Sequence, residues 1–304
     1  MIPAFINAET GRAEAAKAAL RAAGGFDIHE VAPDALSAGI RSARAAGAKR
    51  IVIAGGDGSI GAAAEALHAS RVELAILPCG TLNHLARDLG LPVDLDEAAR
   101  VALDGSAVPI DAAMVNDRMF LSTSSVGAYV RFVRLRDRIE RRLGYHVASF
   151  LSGARLLYRL PLFRVTLDVE GSSREYLTPL VFVGVGEREL KLPSLGARVP
   201  NGAAGLHLMI VRSRSGARAV ALGLAAAARG VRAVSETPAM DAFLVDRFRI
   251  EAQTHRVAID GEIVRMDAPF VFRYLRRDLR VVVVPDRAQH SADHQADTAT
   301  TGGD

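Results

Sequence analysis

Residues 50–61 read Arg50-Ile-Val-Ile-Ala-Gly-Gly-Asp-Gly-Ser-Ile-Gly61, and an alanine-rich segment follows at residues 62–69. The β-branched run predicts a buried strand, the glycines a tight turn, and the alanines a helix that starts at once. Glycines let a backbone approach a phosphate closely, and a helix N-terminus presents unpaired N–H groups with a favourable dipole. This stretch therefore predicts a phosphate-binding loop between a strand and a helix.

The sequence around this loop alternates between strand-like and helix-like segments up to about residue 104. Strands are predicted at residues 2–6, 26–31, 50–54 and 74–77, and helices at residues 13–23, 33–46, 62–69, 81–89 and 95–103. Strands that alternate with helices imply crossover connections and a parallel sheet. We therefore expect an α/β domain with a parallel sheet over residues 1–107.

The pattern changes after residue 107, where short strand candidates crowd together. They lie at residues 108–112, 119–123, 163–169, 176–183, 206–211, 243–250, 256–259 and 279–284. This spacing is typical of a mainly antiparallel β-sandwich, which we expect over residues 108–285 with helical insertions at 129–158 and 217–234. Residues 286–304 are polar and lack large apolar side chains, which predicts a disordered tail.

Asp57 gives the glycine loop its chemical character. Gly56, Gly58 and Gly61 satisfy the G-x-G-x-x-G spacing of dinucleotide sites, but the next strand does not end in the acidic residue that such sites use for ribose. A carboxylate among phosphate-binding glycines repels the ligand unless a cation or a transferable proton is present. Magnesium-dependent phosphoryl transfer supplies both. The alternative is that Asp57 only caps the following helix.

A second strand–glycine–helix junction follows at Pro78-Cys79-Gly80-Thr81-Leu82-Asn83-His84. In a parallel sheet, both loops would open at the carboxyl edge, where α/β proteins place their ligands. The Thr81 hydroxyl and the Asn83 amide are suited to phosphate, ribose or metal-bound water. Thr81 is also a common type of helix N-cap, so that alternative stays open.

Together the two junctions resemble the motifs of a known enzyme family. Gly55-Gly56-Asp57-Gly58-Ser59, followed by Pro78-x-Gly80-Thr81-x-Asn83, resembles the diacylglycerol kinase catalytic-domain family, which includes bacterial lipid kinases and the sphingosine and ceramide kinases. Further landmarks occur in the family's order along residues 2–285. They are the turn Asn7-Ala8-Glu9-Thr10-Gly11, Asp111 at the domain crossing, residues 119–127 (MFLSTSSVG), and Asp260-Gly261-Glu262.

The resemblance implies a nucleotide-binding α/β domain, a β-sandwich domain, and an active site in the cleft between them. It implies ATP and Mg²⁺ as cofactors, with Asp57 organising the metal through phosphates or water. The residues implied to contact ATP are Asn7, Thr10, Gly55, Gly56, Asp57, Gly58, Ser59, Gly61, Gly80, Thr81 and Asn83.

For the chemistry, Glu262 is the expected base for the acceptor hydroxyl, with Asp260 beside it and Asp57 as the rival base. As a bare turn, Asp-Gly followed by Glu is also common in β-hairpins. The implied activity is transfer of the γ-phosphate of ATP to a lipid hydroxyl, of a diacylglycerol-like or a sphingoid- or ceramide-like lipid.

Four positions depart from the family's common pattern. Ser59 stands where threonine is usual, Gly61 where many members have asparagine, and His84 where an acidic residue often follows Asn83. Ala204 stands where many relatives carry an acidic residue that helps to hold a structural magnesium. These departures keep two alternatives open: a kinase for a soluble alcohol such as a nucleotide ribose, and a catalytically inactive regulator that binds nucleotide or lipid.

Composition and charge limit the partners and the compartment. The net charge is +4, and arginine supplies all but three of the 38 basic residues, which fits anionic partners. Residues 129–143 form a predicted basic amphipathic helix suited to an anionic membrane surface, although a packed helix with a solvated arginine face has the same pattern.

The sequence has one cysteine and no zinc-finger or aromatic–basic pattern, so we expect neither a disulfide nor nucleic-acid binding. Without a secretory signal or a long apolar run, the expected location is cytoplasmic, with peripheral contact at the inner membrane face.

Overall fold

The computed structural model of the 304-residue chain describes residues 1–127, 162–189, 197–199, 202–212 and 240–285. The chain divides into two compact units, one containing Met1–Asp111 and the chain from Arg277 onward, the other Ala112–Arg276. The chain leaves the first unit within one strand, Ser106–Val115, and returns to it within another, Phe270–Val283. The predicted helices at 129–158 and 217–234 and the predicted tail at 286–304 lie outside the described residues.

The first unit alternates strands and helices, as the sequence predicts. Its elements are β1 (Ile2–Asn7), α1 (Ala13–Ala23), β2 (Phe26–Val31), α2 (Pro33–Ala45), β3 (Arg50–Gly55), α3 (Asp57–Leu67), β4 (Glu73–Pro78), α4 (His84–Asp88) and α5 (Leu95–Asp104). The strands pair in parallel in the order β2-β1-β3-β4. The expected parallel α/β architecture is confirmed.

Helices cover both faces of this parallel sheet, because successive side chains of each strand point to opposite faces. Ala4, Val52 and Ala54 pack into a buried cluster with alanines of α1 and α5. On the other face Phe5 lies so close to Gly39 of α2 that a Cβ there would lie 2.8 Å from its ring. With both faces covered, the open carboxyl edge of the sheet is the place left for a ligand.

The second unit is antiparallel. Its elements continue as β5 (Ser106–Val115), β6 (Arg118–Phe120), β7 (Thr123–Gly127), β8 (Phe163–Val169), β9 (Ser172–Thr178), β10 (Leu180–Val185), β11 (Arg188–Glu189), β12 (Ala197–Arg198), β13 (Leu206–Val211), β14 (Met240–Val245), β15 (Arg247–Ala252), β16 (Arg256–Ile259), β17 (Glu262–Arg265) and β18 (Phe270–Val283). One sheet has the order β14-β13-β10-β7-β16-β17, and in the other β15 lies between β18 and β8, followed by β9. Apolar side chains of both sheets form one buried cluster, which confirms the expected sandwich.

The last strand is where the structure departs from the sequence-based division. The sequence predicts a strand at 279–284 within the second domain, whereas Arg280 and Val281 pair in parallel with Glu73 and Leu74 of β4 in the first unit. The single strand β18 thus contributes to both units. Similarly, the first crossing falls after Asp111 instead of residue 107. No turn marks either crossing, since each lies inside a continuous strand.

Two other segments predicted as single strands, 176–183 and 243–250, are each two strands. Pro179 separates β9 from β10, and Asp246 separates β14 from β15. In both cases the two strands belong to different sheets of the sandwich. Because only one residue separates the two strands, the apolar pattern continues across the corner, and the sequence does not reveal the break.

Candidate active site

The glycine loop joins β3 to α3 without an intervening segment. β3 ends at Gly55, Gly56 precedes the helix in an extended conformation, and α3 begins at Asp57. The N-cap residue of α3 is Gly56, which has no side chain to accept from the first turn. The first N–H groups of this helix face the carboxyl edge of the sheet, which is the arrangement that binds phosphate.

The second loop lies directly against the first. Cys79 N donates a hydrogen bond to Gly55 O at 2.9 Å, which extends the β3–β4 pairing past the end of both strands. A Cβ on Gly80 would lie 2.7 Å from the Cα of Gly56. Real Cβ atoms do not approach a backbone atom this closely, so the contact between the two loops requires glycine at position 80.

Asp57 links the two loops through its side chain. Its Oδ1 accepts a hydrogen bond at 2.8 Å from the backbone N–H of His84, the first residue of α4. The carboxylate therefore reaches across to the neighbouring loop, a contact that the simple N-cap alternative does not include. A partly buried carboxylate is held at the junction of the two glycine loops.

Asn83 shapes the second loop. Its Oδ1 accepts from Gly80 N at 2.9 Å, and its Nδ2 donates to Gly80 O at 2.7 Å. The residue is 5% exposed and has a left-handed backbone, with φ 49° and ψ 51°. Both ends of the amide are thus bonded to the backbone of its own turn, and its role in this geometry is to hold Gly80 in place.

The predicted helix at 81–89 is wrong in its first turn, because the Asn83–Gly80 turn occupies residues 80–83 and α4 covers only His84–Asp88. Thr81 lies before that helix and does not cap it. Its side chain is exposed and makes no hydrogen bond within the described part of the chain. The Thr81 hydroxyl is therefore available to a ligand at the loop.

The opening turn is joined to both loops. Asn7 Nδ2 donates to Ser59 Oγ at 2.9 Å, and Thr10 Oγ1 donates to the carbonyl of Cys79 at 3.0 Å. Ser59 is 8% exposed and lies so close to Gly55 that a Cβ on that glycine would be 2.5 Å from the serine Cβ. The structure thus brings the three predicted segments, 7–11, 55–61 and 80–84, to one edge of the sheet.

Arg12 and Cys79 lie beside these loops, and of the two only Arg12 is charged at neutral pH. Arg12 Nη1 donates to the carbonyls of Pro78 and Val93, at 3.2 and 3.3 Å. Burial raises the pKa of the Cys79 thiol to about 11, and the nearby Arg12 charge opposes that shift. The thiol is therefore protonated at neutral pH and is not a nucleophile. Sequence reasoning missed Arg12, although it follows the Asn7–Gly11 turn directly.

In the second unit, Asp260 anchors a neighbouring segment. Its carboxylate accepts hydrogen bonds from the backbone N–H groups of Leu121, Ser122 and Thr123, each at 2.8 Å. Asp260 and Gly261 both have positive φ, and Ile259 pairs with Glu262, so the motif is a two-residue hairpin turn. Asp260 thus connects two of the family landmarks, residues 119–127 and 260–262, within one unit.

Glu262 differs from Asp260 in its surroundings. It is the first residue of β17, and its exposed side chain makes no hydrogen bond or ion pair within the ranges that the structure describes. A carboxylate without such partners retains its lone pairs as acceptors. Of the two acids, Asp260 holds the backbone of residues 121–123, whereas the Glu262 carboxylate stays exposed.

Arg188 is a further residue that the sequence reasoning missed. It is 2% exposed, and its guanidinium donates to Val185 O and to Ser122 Oγ, both at 3.1 Å. Its backbone N–H donates to Nδ1 of His207, whose pKa is lowered by burial. Arg188 thereby supports the segment that Asp260 binds. No sequence signal identifies it, because it is one arginine among many.

Comparisons with known proteins agree with this geometry. The family model described as the diacylglycerol kinase catalytic domain matches residues 4–115. Over these residues the chain is similar to that catalytic domain. The resemblance seen in the sequence is confirmed.

Curated relatives named as lipid kinases align with part of the chain. A protein of Cronobacter sakazakii named "Probable lipid kinase YegS-like" is 30% identical over 146 residues, 46% of this chain and 48% of the relative. A relative of the same name from Klebsiella pneumoniae is 36% identical over 140 residues, 45% of this chain and 46% of the relative. The chain thus aligns with about half the length of the curated relatives that it matches.

Solved structures share the fold over nearly the whole chain. A crystal structure from Bacillus anthracis str. Sterne aligns with a TM-score of 0.73 at 22% identity, covering 94% of this chain and 98% of that one. Another from the same organism, titled a diacylglycerol kinase, aligns with a TM-score of 0.66 at 20% identity, covering 94% and 97%. At these identities the likeness establishes the fold alone.

The structure places three of the positions that depart from the family pattern. Ser59 keeps the hydroxyl of the usual threonine and uses it to accept from Asn7. His84 contributes its backbone N–H to Asp57, a bond that does not depend on the histidine side chain. Gly61 leaves open space, since a Cβ there would meet nothing within 4 Å.

Neither unit, within its described residues, contains a group of three or more His, Cys, Asp and Glu side chains that could hold a metal ion. Ala203 N donates to Glu187 Oε2 at 3.1 Å, and Ala204 offers no carboxylate. Among the described residues no helix is long and apolar enough to cross a bilayer.

The loop contact predicts opposite effects for two alanine substitutions. Gly80→Ala should lower the free energy of unfolding by about 1–3 kcal/mol, because its Cβ would force the two loops apart. Gly61→Ala in α3 should raise it by about 0.5–1 kcal/mol, since the space is open and alanine favours the helix. Urea denaturation of both variants checks this, and equal effects would contradict the requirement for glycine at position 80.

The carboxylate anchor in the second unit predicts a large cost for Asp260→Asn. Asparagine tolerates the left-handed backbone, so the substitution removes only the charge and part of the hydrogen bonding. We expect the unfolding free energy to fall by about 2–4 kcal/mol, as for the loss of charge-assisted hydrogen bonds. Asp117→Asn, at an exposed turn position, is the control in the same denaturation experiment, and a cost no greater than this control would show that Asp260 is not an anchor.

Proposed function

We propose that the protein is an ATP- and Mg²⁺-dependent kinase that transfers the γ-phosphate to the hydroxyl of a lipid. The observation that carries the proposal is the position of Asp57 between two glycine loops in backbone contact, at the N-terminus of α3. Lipid as the acceptor class is supported by the relatives named as lipid kinases.

The residues at the loops fit a nucleotide's phosphates. Gly56 and Gly80 have no side chains above the backbone, and the N-terminus of α3 directs N–H groups toward the same edge. Anions bind at such a terminus because unpaired N–H groups and the helix dipole both favour negative charge. The Thr81 hydroxyl is exposed beside them. We assign the phosphates to Gly55–Gly61, Gly80 and Thr81, with Asn7 and Thr10 holding the loops in register.

The donor set also fits magnesium, since Mg²⁺ in kinases uses one or two carboxylates together with substrate phosphates and water. Asp57 would hold the ion, which when bound would neutralise negative charge on the transferring phosphoryl group. The backbone N–H of His84 fixes one oxygen of that carboxylate, and the orientation of the carboxylate is thus set before any ligand arrives.

We assign the proton-accepting step to Glu262. The acceptor hydroxyl gives its proton to the Glu262 carboxylate, its oxygen forms the new bond to the γ-phosphorus, and the bond between that phosphorus and the bridging oxygen of ADP breaks. Glu262 suits this role because it is exposed and lacks a hydrogen-bond partner among the described residues. Asp57, the rival base, already accepts from His84.

A lipid acceptor also implies where in the cell the protein works. A kinase for a lipid must reach its acceptor at a bilayer surface, so we propose peripheral contact with the inner face of an anionic membrane. The basic segment 129–143, which suggested such contact, lies outside the described residues. Transfer to a soluble alcohol and binding without transfer are the competing outcomes that an acceptor panel separates.

Substitution of the two acids should separate catalysis from nucleotide binding. Glu262→Gln should lower kcat by about 10²–10⁴-fold, the range for loss of a general base, while the Kd for ATP stays unchanged. Asp57→Asn should weaken Mg·ATP binding as well as transfer. The measurements are radiolabelled phosphate transfer to diacylglycerol, ceramide, sphingoid bases and a nucleoside, together with calorimetric titration of Mg·ATP.

Glu175→Gln is the matched control, since Glu175 is also exposed on a strand of the second unit. Full activity of Glu262→Gln with an inactive Asp57→Asn would move the base to Asp57. Mg·ATP binding without transfer to any acceptor would establish a regulator, and an absence of Mg·ATP binding would overturn the kinase assignment.

A further inference from the structure

A basic groove lies on the first unit at the edge where the parallel strands begin. Its volume is about 880 Å³, and its polar lining residues are Arg44, Lys49, Ser70, Arg71, Glu73 and Arg280. β3 starts at Arg50 and β4 at Glu73, whereas the glycine loops follow the other ends of the same strands. Each strand has six residues, and at about 3.3 Å per residue the groove is about 16 Å from those loops.

The lining carries four cations and one acid, and that acid is already neutralised. Glu73 Oε2 lies 2.9 Å from Arg50 Nε and 2.8 Å from Arg50 Nη2. Its other oxygen lies 3.8 Å from Arg280 Nη2. The positive charges of the groove therefore lack a matching set of acids among the residues that line it.

Helix ends explain only part of this charge. Cations are favoured near helix C-termini, and Arg44 in the last turn of α2 donates to Ala66 O near the end of α3 at 3.3 Å. Lys49 and Arg71, by contrast, have exposed side chains that make no hydrogen bond or ion pair within the part of the chain that is described. Two such cations facing one groove repel each other unless an anion lies between them.

We propose that this groove binds a phosphomonoester. Guanidinium groups bind phosphate through paired N–H donors, lysine adds a point charge, and Ser70 supplies a hydroxyl. The volume exceeds what an isolated phosphate ion fills and suits a phosphate attached to an organic group. The phosphomonoester is either a small soluble molecule or the headgroup of a lipid such as phosphatidate, because both present the same dianionic group.

The double variant Lys49→Glu/Arg71→Glu tests the site, with Arg21→Glu/Arg100→Glu as the control. All four residues are exposed in the first unit, and both double variants change the net charge equally. One arm titrates glycerol 3-phosphate by calorimetry. The other measures cosedimentation with phosphatidylcholine vesicles that contain phosphatidate, phosphatidylglycerol or neither.

We expect the groove variant to lose at least about tenfold in affinity relative to wild type, the effect of removing charge-assisted phosphate contacts, while the control keeps its affinity. Loss in the titration arm identifies a soluble ligand. Loss confined to phosphatidate vesicles identifies the lipid headgroup. Equal loss in both double variants, loss that is the same for phosphatidylglycerol, or no wild-type binding in either arm would overturn the proposal.

The site is independent of the kinase assignment, and the experiment keeps the two apart. Asp57→Asn, which should lose Mg·ATP, should retain the phosphomonoester binding measured in the same arms, because Asp57 lies in the glycine loop at the other edge of the sheet. A groove variant that binds Mg·ATP normally but has lost phosphomonoester binding would show that two separate anion sites exist on this unit.

Discussion

The backbones of Gly56 and Gly80 touch, with room at position 80 for a hydrogen atom and for no larger group. This contact brings the ends of two neighbouring parallel strands into one site. Once the loops touch, the His84 N–H reaches Asp57, and the opening turn reaches Ser59 and Cys79 through Asn7 and Thr10. A larger residue at this contact would separate the elements that carry the proposed phosphate-binding groups.

The polar side chains divide into those that hold the structure and those that remain available. Asn83 and Asp260 use their side chains to fix backbone turns, and buried Arg188 supports the segment that Asp260 binds. Glu262 and Thr81 are exposed without hydrogen-bond partners among the described residues. Each unit therefore contains polar side chains that support its backbone and others that stay free to bind a ligand, and rigid support of this kind is what a functional site needs.

The fold was predictable to the extent that local pattern determines it. The alternation of β-branched and alanine-rich segments predicted the parallel unit, and short alternating strands predicted the sandwich. The corners at Pro179 and Asp246 were not predictable, because apolar residues continue on both sides of a single turning residue. The pairing of β18 with β4 was not predictable either, since residues some two hundred positions apart pair without any local sequence signal.

The amino-acid sequence alone was enough to identify the chemical groups at the strand ends, which are the glycines, Asp57, Thr81 and the Asp-Gly-Glu turn. Spacing and residue type carry that information because a strand, a turn and a helix are each encoded locally. The partners of their hydrogen bonds depend on the tertiary fold. The fold brings Asp57 to the His84 N–H, engages Asn83 within its turn, and commits Asp260 to three backbone N–H groups. These choices depend on which atoms the packed strands bring within about 3 Å, a distance that no sequence spacing specifies.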